Sequence, residues 1–260
     1  MGNWLLGLPV LWLGLVVFAG AAVVTGAIYA AVMALATNER RRVAFSAVSP
    51  GMLPPLGLVF ALVVGFLAAQ VWSDWGNAQQ AVNREASSLR AADILADNFP
   101  KARAARIHAL VRMQILTAVR TEWPAMAKQQ ETLAVVSPAL AGALQIALSL
   151  SPENDGQVEA QRELVSSLEN ALDARRQRII SSQSSVNWVK WTGVVLLAAL
   201  TLLGIAFVHT GNRLTAALAM GVFAASCAVV IVMIAAYDRP FAGQLTVKPT
   251  PLEQVAPAAG

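Results

Sequence analysis

Four long apolar stretches, almost free of charge, constrain this chain more than any other feature. They run over residues 5–36, 53–71, 189–208 and 214–236. A bilayer core of about 30 Å needs about 20 helical residues to cross it, and each stretch supplies that length. They therefore predict an all-α, polytopic membrane protein with four spans in a two-plus-two order. Between the pairs lies a helical insert. The expected divisions are residues 1–72 for the first two spans, 73–187 for the insert, 188–237 for the second pair and 238–260 for a tail.

Charge placement supports this reading. Only 13% of the 260 residues are charged and 57% are hydrophobic, where soluble domains carry about 25% charged residues. The net charge of +4 is not spread evenly. Residues 73–187 hold 12 Lys/Arg and 12 Asp/Glu, so the insert is neutral. The excess lies beside the spans, at Arg40, Arg41, Arg42, Lys190 and Arg213. Such placement fits topology and headgroup contact. It does not fit nucleic-acid binding, which needs a basic face on a folded domain. The bilayer is the expected partner.

The spans contain no central ionisable residue, whereas proton relays and ion-coupled carriers place one there. Nor is an enzyme indicated. His108 and His209 lie on separate elements, no His/Cys/Asp/Glu spacing suits a metal, and no phosphate-cradling loop or nucleophile elbow appears. No catalytic residue, metal or cofactor is expected. Cys227, the single cysteine, reads as core filler within the fourth span.

Local signals place the helices. No Lys or Arg precedes the first apolar run, which is too long for a signal peptide; a span over 11–36 is expected, with Trp4 and Trp12 near an interface. The second span continues as a stalk to Pro100, with Trp75, Ala78, Val82, Ala86 and Leu89 on one face. A helix follows over 101–123, with Ile107, Leu110, Val111, Ile115 and Val119 on one face and Pro124 breaking or kinking it. A short helix spans 137–150. Ser151 is expected to cap a long helix carrying Val158, Val165, Leu172 and Ile179 every seven residues, joined by Leu168. Trp188 and Trp191 form an aromatic girdle at the third span, where Lys190 snorkels. Gly211-Asn212 turns the chain into the fourth span. The tail reads as extended.

In the second span, Leu58, Leu62 and Phe66 recur every four residues and share one face. Around an axis of several copies they would form stacked apolar rings, which can gate by dewetting. Any apolar span offers such a triplet for lipid or interhelical packing, so spacing alone leaves both readings open.

Two passages add a resemblance. Val64-Gly65-Phe66 followed by Trp72-Ser73-Asp74-Trp75 resembles the pore helix of bestrophin channels and its extension. Asp238-Arg239-Pro240-Phe241-Ala242-Gly243 resembles the Asn-Pro-Phe-Gly passage after their last span. Over nearly its full length the chain is more closely similar to a bacterial family of membrane proteins described as bestrophin-like, through Glu122-Trp123-Pro124-Ala125-Met126 and Glu85-Ala86. The resemblance implies a homo-oligomer in a bacterial inner membrane, with a ring of five as one arrangement, and it puts Leu58, Leu62 and Phe66 at the hydrophobic neck. Two departures matter: Val59 replaces the neck proline, and Gln244-Leu245-Thr246-Val247 stands where bestrophins carry a calcium-binding acidic cluster. Calcium gating is therefore not inherited.

The same motifs have a bottom-up reading. Pro240 stops a helix, Asp238 and Arg239 meet neighbouring helix ends, and Phe241 staples the tail. Glu122 reads as a satisfied buried carboxylate at a kink, or as a group binding an ion or an interface arginine. Orientation cues conflict. Arg40, Arg41, Arg42 and Arg213 in the short loops favour those loops in the cytoplasm, while the resemblance puts the insert and both termini there; the latter is followed, with Arg175, Arg176, Arg178, Lys190 and Arg239 counted as basic flanks. Two functions follow: a passive oligomeric ion channel for small anions with the second span lining the pore, or a membrane-anchored helical scaffold or sensor without a pore.

Overall fold

Apolar segments of this length form helices because every backbone N–H and C=O is then satisfied within the segment. The computed structural model of the chain describes residues 9–47, 50–131, 133–243 and 245–257, and among these it contains helices and no strand. Trp4 and Gln244 lie outside the described residues. Four helices are long and apolar enough to cross a membrane: α1 (Val10–Leu35), α3 (Leu53–Ala96), α8 (Trp188–Val208) and α9 (Arg213–Tyr237). The others are α2 (Glu39–Ser46), α4 (Lys101–Thr117), α5 (Trp123–Ala127), α6 (Pro138–Leu148), α7 (Asp155–Ser182) and α10 (Thr250–Gln254), with a 3-10 turn at Pro50–Met52 and a π turn at Ala118–Glu122.

The chain divides into two compact units. The first is Met1–Trp72 with Ser185–Asp238. In it α1 packs against α9 and α8, and α1 is unbroken despite Gly20 and Gly26. Leu13, Phe60, Val64, Leu67, Val71, Trp191, Val194, Cys227 and Ile234 form one apolar cluster, and Val32, Leu202, Ala206, Met220 and Ala224 a second. Cys227 is thus filler, as expected. Trp191 is a correction: it is buried in the cluster, and only Trp188 is exposed. Gly204 packs closely, since a Cβ there would come within 3.2 Å of Leu53 Cδ2 and that side chain would have to shift slightly. Asn212 ends the α8–α9 turn and caps α9 by accepting from the Leu214 and Thr215 N–H groups. The loop holding Arg40, Arg41 and Arg42 is itself helical, as α2.

The second unit is Ser73–Ser184 with Arg239–Gly260. Ala78, Val82, Ala86 and Leu89 are buried as their spacing predicts, together with Ile107, Val111 and Ile115 of α4. Ser137 caps α6 with Pro138 in its first turn. For α7 the cap is Asn154, which accepts from the Gln157 N–H, and not Ser151. Asn154 stands in extended geometry immediately before the first helical residue, where a cap must be. The buried face of α7 is centred on Leu164, Leu168 and Ala171; Val158, Val165 and Leu172 lie half-buried at its margin.

The tail is also corrected, since it is not simply extended. Val247 and Leu252 are buried in the same core, and α10 ends the described fold. Two indoles hold it: Trp75 Nε1 donates to the Leu245 carbonyl at 3.1 Å and Trp123 Nε1 to the Val247 carbonyl at 3.3 Å.

Candidate functional site

The membrane-length part of α3 has two unlike faces. Phe60, Val64, Leu67 and Val71, at i, i+4, i+7 and i+11, are buried in the first unit. Phe60 meets Phe223 of α9 with ring centroids 5.6 Å apart. On the other side Leu58, Leu62 and Phe66 are 61%, 51% and 74% exposed. The triplet therefore forms one outward apolar ridge that contributes little to the core of the first unit. Gly57 and Gly65 flank it, and a Cβ on either would meet nothing within 4 Å.

A second constellation lies inside the helical unit. Glu85 of α3, Glu122 of the π turn and Arg175 and Arg178 of α7 are all buried. Arg178 Nε donates to Glu85 Oε2 at 2.6 Å, and its Nη2 donates to Glu122 Oε2 at 2.7 Å and Glu85 Oε1 at 3.1 Å. Arg175 Nε donates to Glu122 Oε1 at 2.8 Å. Gln114 Nε2 donates to Glu85 Oε1 at 3.2 Å and Ser137 Oγ to Gln114 Oε1 at 2.5 Å. The Trp123 ring lies 5.3 Å from the Arg178 guanidinium carbon. Two cations face two anions, so the buried group is neutral. Burial disfavours the charged guanidinium, but the Glu85 and then the Glu122 carboxylates outweigh this and hold the Arg178 pKa well above its ordinary value.

The π turn explains Glu122. Pro124 lacks the N–H that an α-helix needs and would crowd the carbonyl four residues back. The turn widens before it, and the Trp123 N–H bonds to the Ala118 carbonyl, five residues back. The helix thus runs through the proline without a break, and Glu122 in the widened turn is buried. Of the two readings of Glu122, the partner found is an arginine of the same chain. Arg175 and Arg178 are accordingly not basic flanks.

The motif after α9 divides between the units. Asp238 is buried and its Oδ1 accepts from the Val186 N–H at 2.6 Å. In the second unit, the Pro240 carbonyl accepts from the Val247 N–H at 2.8 Å, and Phe241 packs edge-on against Trp123 with centroids 5.3 Å apart. Arg239 begins that unit. Asp238 is thus held within the first unit, and Phe241 packs into the core of the second.

Near the end of α3, His108 of α4 bridges Asp93 at 2.6 Å and Asp97 at 3.1 Å. Partial burial lowers its pKa, but hydrogen bonds and charge from Asp93, and then Asp97, outweigh that and raise it above the ordinary histidine value. Among the described residues no group of three His, Cys, Asp or Glu side chains could hold a metal ion.

A family model for the bestrophin-like domain matches residues 16–252, which takes in both units and every motif above. The chain belongs to the bestrophin-like family. No curated protein and no solved structure matches it. The family match covers the α3 ridge and the charge cluster alike. Of this bestrophin-like chain's cluster, sequence reasoning identified Glu122 and noted Glu85, but missed Gln114, Ser137, Arg175 and Arg178. A signal existed: Glu85 falls between Ala78 and Ala92 at seven-residue spacing, and Arg178 continues Leu164 and Ala171 at the same spacing. A charge in a core register needs a buried partner.

Proposed function

We propose that this bestrophin-like protein is an oligomeric, passive channel for small anions. Four spans are arranged two and two around an extramembrane helical unit. That unit and both termini lie on the cytoplasmic side of a bacterial inner membrane. Several copies, five in the arrangement favoured by the family resemblance, surround an axis. The membrane part of α3 lines the path, and Leu58, Leu62 and Phe66 form its neck.

The observation that carries this reading is the two-faced character of α3. One face is used by its own subunit, and the other presents three large apolar side chains at four-residue intervals. Stacked apolar rings can close a pore by excluding water and open it by a small widening. The absence of Asp, Glu, Lys, Arg and His from the interiors of the apolar stretches supports passive conduction over a charge relay. The alternative scaffold reading draws on the seven-residue stripe of α7, of which Ile179, with Leu168, is buried in the unit's own core and Val158, Val165 and Leu172 are half-buried at its margin.

Liposomes containing the assembled protein should pass chloride. Phe66→Ala and Leu62→Ala should each raise the basal flux several-fold, because both widen an apolar constriction. Correctly assembled protein that leaves the vesicles as tight as protein-free ones would end this reading.

A further inference from the structure

We propose that the end of the first unit carrying α2 binds one anionic phospholipid, its phosphate beside four arginines and an acyl chain in the groove between α1 and α9. The arginines are gathered by tertiary contacts. Phe45 of α2 stacks on Phe207 of α8 with centroids 5.0 Å apart, and Arg42 Nη2 donates to the Gly211 carbonyl at 3.3 Å. Tyr29 Oη of α1 donates to the Arg213 carbonyl at 3.4 Å. Arg40, Arg41, Arg42 and Arg213 therefore stand at one end of the bundle and are exposed, with Glu39 the only acid in α2 and none in the α8–α9 turn.

The groove begins where the charge is. On α9, Ala217, Gly221 and Ala225 follow Arg213 at four-residue steps, and on α1 Phe18, Ala22 and Gly26 are spaced alike. They line an almost wholly apolar cavity of about 380 Å³. A Cβ at Gly26 or Gly221 would meet nothing within 4 Å, so the groove is open. Val43 and Leu214 are 61% and 68% exposed beside the arginines. Cationic side chains beside exposed apolar ones, at the end of bilayer-length helices, match a headgroup with its chain below. A soluble acidic partner would match the charge and leave the groove empty.

The inference rests on the membrane assignment of these helices and not on conduction, so a protein that passes no ions but selects lipid would separate the two. The test uses full-length protein in nanodiscs of equal phosphatidylglycerol and phosphatidylcholine, with retained lipid counted by native mass spectrometry. Phosphatidylglycerol should be retained at least about tenfold over phosphatidylcholine, since each arginine at an anionic surface contributes a few-fold and several act together. The double variant Arg40→Gln/Arg41→Gln and the single Arg213→Gln should each reduce that preference. Gly221→Leu should lower retention of both lipids without abolishing the preference. Glycerol phosphate, a headgroup without a chain, should not displace the lipid at equal concentration. Equal retention of the two lipids, an unchanged preference in both arginine variants, or displacement by glycerol phosphate would overturn the proposal.

Discussion

At the scale of single residues, the decisive group is Arg178, fully buried between Glu85 and Glu122. Removing one partner from a buried ion pair costs about 3–5 kcal/mol because the remaining charge is stranded. Arg178→Leu should therefore lower the unfolding midpoint of the detergent-solubilised protein sharply. Adding Glu85→Gln, which leaves Glu122 paired with Arg175, should recover much of that loss, whereas independent effects would simply add. His108 gives a pH-dependent prediction. Its folded pKa is raised above the ordinary 6.5, so its ion pairs stabilise fully below that value and the gain is lost as pH rises through the folded pKa. His108→Gln should remove this component from a stability-against-pH curve, and an unchanged curve would show that the bridges contribute nothing. Glu122 was legible as a buried carboxylate; its partner was not, because a buried arginine 56 positions away in sequence reads locally as an exposed charge.

At the scale of elements, helix periodicity was legible and helix ends less so. The stalk face of α3 and the face of α4 follow from spacing, because burial on one side imposes a 3.6-residue rhythm. The cap of α7 did not follow, since Ser151, Pro152 and Asn154 compete within four residues and the chain's approach decides among them. The two positions can be separated directly: Asn154→Ala should cost about 1 kcal/mol of stability and Ser151→Ala close to nothing. The tail misled for a different reason. Its prolines suit extended chain, but Phe241, Val247 and Leu252 are each buried by partners distant in sequence. Phe241→Ala should cost about 3–5 kcal/mol, the usual loss for emptying a buried aromatic site. A tail that only decorates the surface would tolerate it.

At the scale of the whole molecule, four bilayer-length helices were legible from charge depletion alone, and family membership from short motifs. The ridge of Leu58, Leu62 and Phe66 was legible as a helical face, but what it faces was not, because lipid and a pore axis place the same demand for apolar side chains on one chain. The central claim is that this ridge lines an ion path, and thiol accessibility tests it most directly. The one native cysteine, Cys227, is buried, so Phe66→Cys offers a single reactive position on α3. In chloride-loaded liposomes, a charged, water-soluble thiol reagent should change the flux of Phe66→Cys and leave the flux of Val23→Cys, on the exposed side of α1, unaltered. Flux through Phe66→Cys that ignores the reagent, with the introduced thiol shown to be unmodified, would place the ridge in lipid and contradict the account.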